Sequence, residues 1–114
     1  MTQRVSVAPL SELEPGERRF VRQGKLSILV VNAGGTIYAV DDLCTHDNGP
    51  LGEGEIVNDD QVKCPRHGAR FSLKTGQALS LPAVKGIRSY PVVVENDHVY
   101  VELQPAAPAP TGRK

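Results

Sequence analysis

At 114 residues the chain fits one domain of ordinary size, able to bury roughly two thirds of its unfolded surface, and no second catalytic domain is expected within it. Thirteen basic residues offset thirteen acidic ones and neither sign forms a block, which excludes the electrostatic footprint of a nucleic-acid binder. Apolar residues make up 39% and aromatics 4%, with no Trp, so the core has to be built from Val, Leu, Ile and Ala.

In chain order, the N-terminus lacks the apolar segment of a secretory signal, and no stretch approaches the roughly eighteen apolar residues of a membrane span. A soluble, cytoplasmic protein is expected. Arg4 to Ala8 alternates as a half-buried strand, with Val5 and Val7 on one face. Pro9 to Leu13 allows one helical turn, which Pro15-Gly16 ends. Glu17 to Arg22 and Lys25 to Val31 read as strands joined at Gln23-Gly24. The run Ile28-Leu29-Val30-Val31 is apolar enough to be buried on both faces. Asn32 to Gly35 turns the chain into Thr36 to Val40, giving a hairpin.

Glu55 to Val57 and Gln61 to Lys63 flank Asn58-Asp59-Asp60, a second hairpin signal. Arg70 to Leu73 precedes a turn at Lys74-Thr75-Gly76, and Gln77 to Leu81 resumes in extended form. Arg88 to Glu95 and His98 to Leu103 form a last hairpin around Asn96-Asp97. From Gln104 the chain turns to Pro and Ala with nothing to bury, so residues 104–114 are expected to be a flexible tail. Short strands between Gly, Pro, Asn and Asp turns, without a sustained helical period, indicate an all-β sandwich or barrel.

Both cysteines and two of the three histidines fall in one stretch, as Cys44-Thr45-His46, seventeen intervening residues, then Cys64-Pro65-Arg66-His67. Two cysteines cannot form a disulfide framework, and paired thiols in a reducing compartment more often hold metal. The hairpin between the two pairs returns the chain to where it left, bringing both pairs to one end. Unrelated histidines would fall at both offsets by chance in roughly one case in a hundred. A Cys44–Cys64 disulfide is disfavoured by the compartment and the adjacent imidazoles.

A bound metal would also help to stabilise so lean a core. A structural zinc finger usually takes like ligands from each element, Cys-x2-4-Cys and His-x3-5-His. Here each segment offers one thiolate and one imidazole, which suits a binuclear centre with both thiolates on one iron and both imidazoles on the other.

These residues resemble the signature of Rieske [2Fe–2S] proteins. Cys44 to Gly54 and Cys64 to Phe71 are similar to the two ligand loops of Rieske-type ferredoxins, and Lys74-Thr75-Gly76 and Leu81-Pro82-Ala83 to the segments that follow. The likeness spans about residues 4–103. It implies a Rieske-like antiparallel β-sandwich or barrel with a small cluster-binding subdomain inserted between strands. The domain would span 1–103, with the cluster-binding part at about 41–83. One [2Fe–2S] cluster would be held by Cys44 and Cys64 on one iron and His46 and His67 on the other. Two neutral imidazoles in place of two thiolates make such a cluster easier to reduce.

Respiratory-complex Rieske proteins carry a membrane anchor and an extra cysteine in each loop; here Arg66 stands at one such position. They also commonly carry a Ser and a Tyr whose hydroxyls bond the cluster sulfurs, where this chain has Ala69 and Phe71. A potential at the low end of the Rieske range, about −150 mV, is therefore expected. Terminal Rieske oxygenases need a second iron site with two further histidines, and only His98 remains. The resemblance thus implies a monomeric one-electron carrier with no catalytic residues of its own, between a flavin-dependent NAD(P)H reductase and a terminal ring-hydroxylating oxygenase. Neither nucleic acid nor membrane is expected as a partner. The alternatives are a Rieske ferredoxin serving iron–sulfur cluster assembly, a nitrite reductase small-subunit-like protein, and a zinc-stabilised Cys2His2 binding module.

Other residues suggest lesser roles. His98 shares a strand face with Tyr100 and Glu102 and is expected to face solvent. Gly49 to Gly54 does not follow the dinucleotide pattern; its glycines, with Gly68, are expected to let the backbone approach the cluster and donate N–H groups to its sulfurs. Pro65 would stiffen the second loop and Pro82 sit in a covering loop. Arg66 and Arg70, or Asp41, Asp42, Asp47 and Glu53, would be either a docking surface or ordinary solvated charges.

Overall fold

A computed structural model of the chain describes residues 3–23, 26–42, 51–52, 54–65, 68–80 and 86–103. Its strands are β1 (Gln3–Pro9), β2 (Arg18–Gln23), β3 (Leu26–Ala33), β4 (Thr36–Asp41), β5 (Glu55–Val57), β6 (Gln61–Lys63), β7 (Arg70–Ser72), β8 (Ser89–Tyr90), β9 (Val92–Glu95) and β10 (His98–Leu103). The turn after β1 is a single 3-10 turn at Leu10–Glu12, and no α-helix occurs among the described residues. No helix there is long and apolar enough to cross a membrane.

The strands make three antiparallel sheets, ordered β1-β10-β9, β2-β3-β4-β8 and β5-β6-β7. The four-stranded sheet lies between the other two, and β3 explains why. Because side chains alternate along a strand, Ile28 and Val30 point into one core and Leu29 and Val31 into the other, all four fully buried. The first core joins Ile28, Val30, Val21 and Ala39 to Val99, Val101 and Leu103 of β10. The second joins Leu29, Val31 and Val40 to Leu51, Val62, Cys64, Ala69, Phe71 and Leu73 of the small subdomain. An apolar run in an antiparallel sheet is thus accounted for by a sheet covered on both sides.

Asn32 is the buried polar residue at the end of this strand, and its amide is satisfied on both sides. Its Nδ2 donates to the Leu13 carbonyl at 2.8 Å and its Oδ1 accepts the Gly35 N–H at 2.8 Å. The second expected hairpin forms as read, with Glu55 opposite Lys63 and Val57 opposite Gln61. Its turn is made by Asn58 and Asp59 at φ 54° and 59°, the left-handed conformation these residues tolerate best.

The last hairpin departs from expectation. Arg88 to Glu95 is not one strand, because Pro91 divides it between β8, which pairs with β4, and β9, which pairs with β10. Proline has no N–H for a ladder, and here it marks where the chain passes from one sheet to the next. Its carbonyl still accepts the Glu102 N–H at 2.9 Å. His98 is on the outer face as expected, half-buried beside Tyr100 and within 2.6 Å of Ser6 Oγ, a contact the sequence does not suggest. The tail 104–114 lies outside the described residues.

Candidate metal centre

Of the four expected ligands, the structure describes Cys64; Cys44, His46 and His67 lie outside the described residues, as do Asp47, Glu53, Arg66 and Pro82. Among the described residues no group of three or more His, Cys, Asp or Glu is gathered to hold a metal. The frame that would bring the two ligand segments together is nevertheless described on both sides.

Cys64 follows β6 directly, is 1% exposed, and packs in the core of the small subdomain. Its N–H donates to the Ala69 carbonyl at 2.6 Å and its carbonyl accepts the Gly68 N–H at 3.0 Å. Those two bonds hold Cys64 beside Gly68 and Ala69, with Gly68 at φ 79°. Across the hairpin, the Gly54 N–H donates to the Leu51 carbonyl at 2.9 Å. A Cβ on Gly54 would overlap the Lys63 carbonyl oxygen. The end of the first segment and the start of the second are therefore held side by side by the β5–β6 register.

Gly52, Gly54 and Gly68 do not follow the sequence expectation of N–H groups aimed at cluster sulfurs. Their amides donate instead to Asp42 Oδ1, Leu51 O and Cys64 O, respectively. Gly52 and Gly54 make room for Phe20 and for Lys63, parts of the protein itself.

Asp41 and Asp42 are not solvated or docking charges either. Alternation at the end of β4 sends them to opposite faces. Asp42 Oδ1 accepts the Leu51 and Gly52 N–H groups at 2.8 and 2.6 Å. Asp41 Oδ1 accepts the Tyr90 hydroxyl at 2.6 Å and its Oδ2 the Arg88 N–H at 3.0 Å. Burial, followed by the hydrogen bond to Asp41 and its negative charge, pushes the Tyr90 phenol well above its ordinary value, with Arg88 acting against them.

A phenol raised in the folded state contributes stability that is whole below its unfolded value of about 10 and declines as pH rises beyond it. The expected result is a steeper alkaline loss of stability above about pH 10 in the native chain than in Tyr90→Phe. Denaturant unfolding at stepped pH, read beside tyrosinate absorbance, measures it; identical profiles would remove Tyr90 as the cause.

Comparison with known proteins supplies the family. The Rieske [2Fe-2S] domain pattern matches residues 3–91. The 3-phenylpropionate/cinnamic acid dioxygenase ferredoxin subunit of Shigella boydii serotype 4 (strain Sb227) is 38% identical over 105 residues, covering 92% of this chain and 98% of that protein. Among solved structures, the ferredoxin of carbazole 1,9a-dioxygenase from Nocardioides aromaticivorans IC177 superposes with a TM-score of 0.79 at 33% identity, over 87% of this chain and 96% of that one. A complex of reduced oxygenase and oxidized ferredoxin in carbazole 1,9a-dioxygenase matches with a TM-score of 0.79 at 33% identity, over 86% and 91% of the two chains.

The chain therefore belongs to the Rieske [2Fe–2S] family. Within it the chain is a ferredoxin, an electron-transfer component and not a catalyst, whose cofactor is one Rieske-type [2Fe–2S] cluster.

The residues present fit that group. Cys64 brings a soft sulfur donor into the core it shares with Leu51, Val62, Ala69 and Phe71, and a thiolate is the form in which such a sulfur binds metal. Soft thiolate and imidazole donors are also what iron–sulfur chemistry selects. Gly68 and Ala69, small residues both, are the ones hydrogen-bonded to the Cys64 main chain.

Proposed function

We propose that this chain carries single electrons from a flavin-dependent NAD(P)H reductase to a terminal ring-hydroxylating oxygenase. Cys44 and Cys64 would hold one iron, and His46 and His67 the other. The observation that supports this best is the β5–β6 register, which seats Gly54 against Lys63 while Leu51 packs in one core with the buried Cys64. Two supports come from the relatives: they are named as ferredoxin subunits of dioxygenases, and one is described in complex with its oxygenase. Thiolate ligation suits a reducing compartment, and we propose the cytoplasm as its location.

When bound, the cluster supplies a one-electron couple whose potential follows ligand charge and hydrogen bonding to its sulfurs. The chain's own residues set that environment. Ala69 and Phe71 are fully buried beside Cys64 and carry no hydroxyl to donate. The potential is accordingly expected near −150 mV, about the low end for such centres. Ala69→Ser adds one donor there. A hydrogen bond stronger by about 1 kcal/mol in the reduced state corresponds to a rise of about 40 mV for one electron.

The test is anaerobic reconstitution with iron and sulfide, potentiometric titration of both forms, and NADH-driven transfer through an added reductase to an oxygenase. A potential well above zero in the native chain would overturn the placement between NAD(P)H and an oxygenase. A colourless protein that takes only zinc would favour a metal-stabilised binding module instead.

A further inference from the structure

Asp42 stands immediately before residues 43–50, which carry Cys44 and His46, and its side chain reaches the residues immediately after them. One oxygen, Oδ1, accepts two consecutive backbone N–H groups, from Leu51 at 2.8 Å and Gly52 at 2.6 Å. The chain thus departs from Asp42 and returns to the carboxylate of the same residue. Asp42 is itself fixed, since its N–H donates to the Ser27 carbonyl at 2.8 Å on the strand beside it.

The same two residues are gripped from a second side by β2. Cross-strand pairing sets Arg18 opposite Val31 and Phe20 opposite Leu29, so both project from the face that meets the small subdomain. The Arg18 guanidinium donates to the Gly52 carbonyl. The Phe20 ring occupies the space that a side chain at position 52 would need. Phe20 remains 53% exposed, more than an aromatic ring ordinarily leaves to water. Its position is explained by the contact with Gly52, not by the core.

We propose that Asp42 is a positioning residue for the first ligand segment, which it ties end to end before iron arrives, with Arg18 and Phe20 as its counterpart on β2. The inference rests on the reading of Cys44 and His46 as ligands. In physical terms, the tie removes conformational freedom from residues 43–50, which present two of the four donors. The ordering cost is then met by folding and not by cluster binding. Asparagine at position 42 keeps an oxygen able to accept both N–H groups, whereas alanine removes it.

The experiment has two readouts. The first is amide hydrogen exchange at Leu51 and Gly52 in the cluster-free chain, which needs no cofactor. Both amides are expected to be protected in the native protein and in Asp42→Asn, and to exchange about tenfold faster or more in Asp42→Ala. The second is the half-life of the visible cluster absorbance in the reconstituted full chain, expected to shorten about tenfold in Asp42→Ala and to be restored in Asp42→Asn.

Rapid exchange of the two amides in the native chain overturns the proposal, and that measurement does not depend on any variant folding. Equal cluster half-lives in the native and Asp42→Ala proteins overturn it too, as does an Asp42→Asn loss as large as that of Asp42→Ala. Should Asp42→Ala not fold, Arg18→Met tests the same grip from the other side, with faster exchange at Gly52 expected and unchanged exchange counting against it. A native chain that shows protected amides but never yields a two-iron spectrum would instead defeat the reading of Cys44 and His46, a separate failure.

Discussion

Cys64→Ser is expected to yield a protein without the visible absorption or the paramagnetic resonance of a [2Fe–2S] centre, and with iron content lowered about tenfold or more. The substitution changes one atom at a position 1% exposed, inside the core that joins the small subdomain to β3 and β4. Both backbone groups of residue 64 are already committed, to Ala69 and to Gly68, so residue 64 keeps those bonds and the chain keeps its topology. What disappears is the soft donor. A serine hydroxyl is neither anionic near neutral pH nor a favoured iron ligand, and its burial among Leu51, Val62 and Phe71 adds a cost of about 1–3 kcal/mol.

Cys44→Ser is expected to behave alike, and His46→Ala combined with His67→Ala to leave no Rieske-type signal. Iron and sulfide analysis with electron paramagnetic resonance of the dithionite-reduced proteins decides it. A double histidine variant with an unchanged spectrum would overturn the ligand assignment. Circular dichroism on the same samples shows whether the larger sheets persist, as they are expected to, because the Ile28, Val30, Val99 and Val101 core is separate from that of the small subdomain.

Much of this arrangement is legible in the sequence, for physical reasons that differ from residue to residue. The β5–β6 hairpin is readable because Asn58 and Asp59 are among the few side chains that accept positive φ. The two-faced burial of β3 follows from four consecutive β-branched or leucine residues, Ile28 to Val31. The ligand pairs stand out because a thiol two or three residues from an imidazole, twice in one short stretch, is rare by chance and chemically suited to metal.

The division at Pro91 is not legible, since a proline between two apolar runs is equally compatible with an edge strand and only the pairing partners separate the cases. The roles of Asp41 and Asp42 are hidden for a related reason. A carboxylate at a strand end looks like a solvated charge until the backbone amides that meet it, ten residues and forty-seven residues away, are known. Ser6 and His98 likewise meet only through the β1–β10 register.

Glycine is the residue most open to misreading, and here it separates two physical effects that substitution by alanine will distinguish. Gly35 lies at φ 102° with open space where a Cβ would stand, so Gly35→Ala meets backbone strain alone, about 1 kcal/mol. Gly54 does not adopt positive φ, but a Cβ there overlaps the Lys63 carbonyl, so Gly54→Ala meets steric overlap alone, typically about 1–3 kcal/mol. Gly76 combines both. Its φ is 80° and a Cβ would overlap the Ile87 carbonyl oxygen. Its own carbonyl accepts the Ile87 N–H at 2.7 Å, so the two backbones cannot separate without losing that bond. Gly76→Ala is therefore expected to cost about 3–4 kcal/mol, which for a domain of this size lowers the thermal midpoint by about 12 °C or more. The predicted order is Gly35→Ala mildest, Gly54→Ala intermediate and Gly76→Ala most severe, read from thermal unfolding of the three variants under one set of conditions. A Gly54→Ala variant as mild as Gly35→Ala would show that the close approach to Lys63 relaxes freely, and that residue 54 is not what holds the first ligand segment against the second.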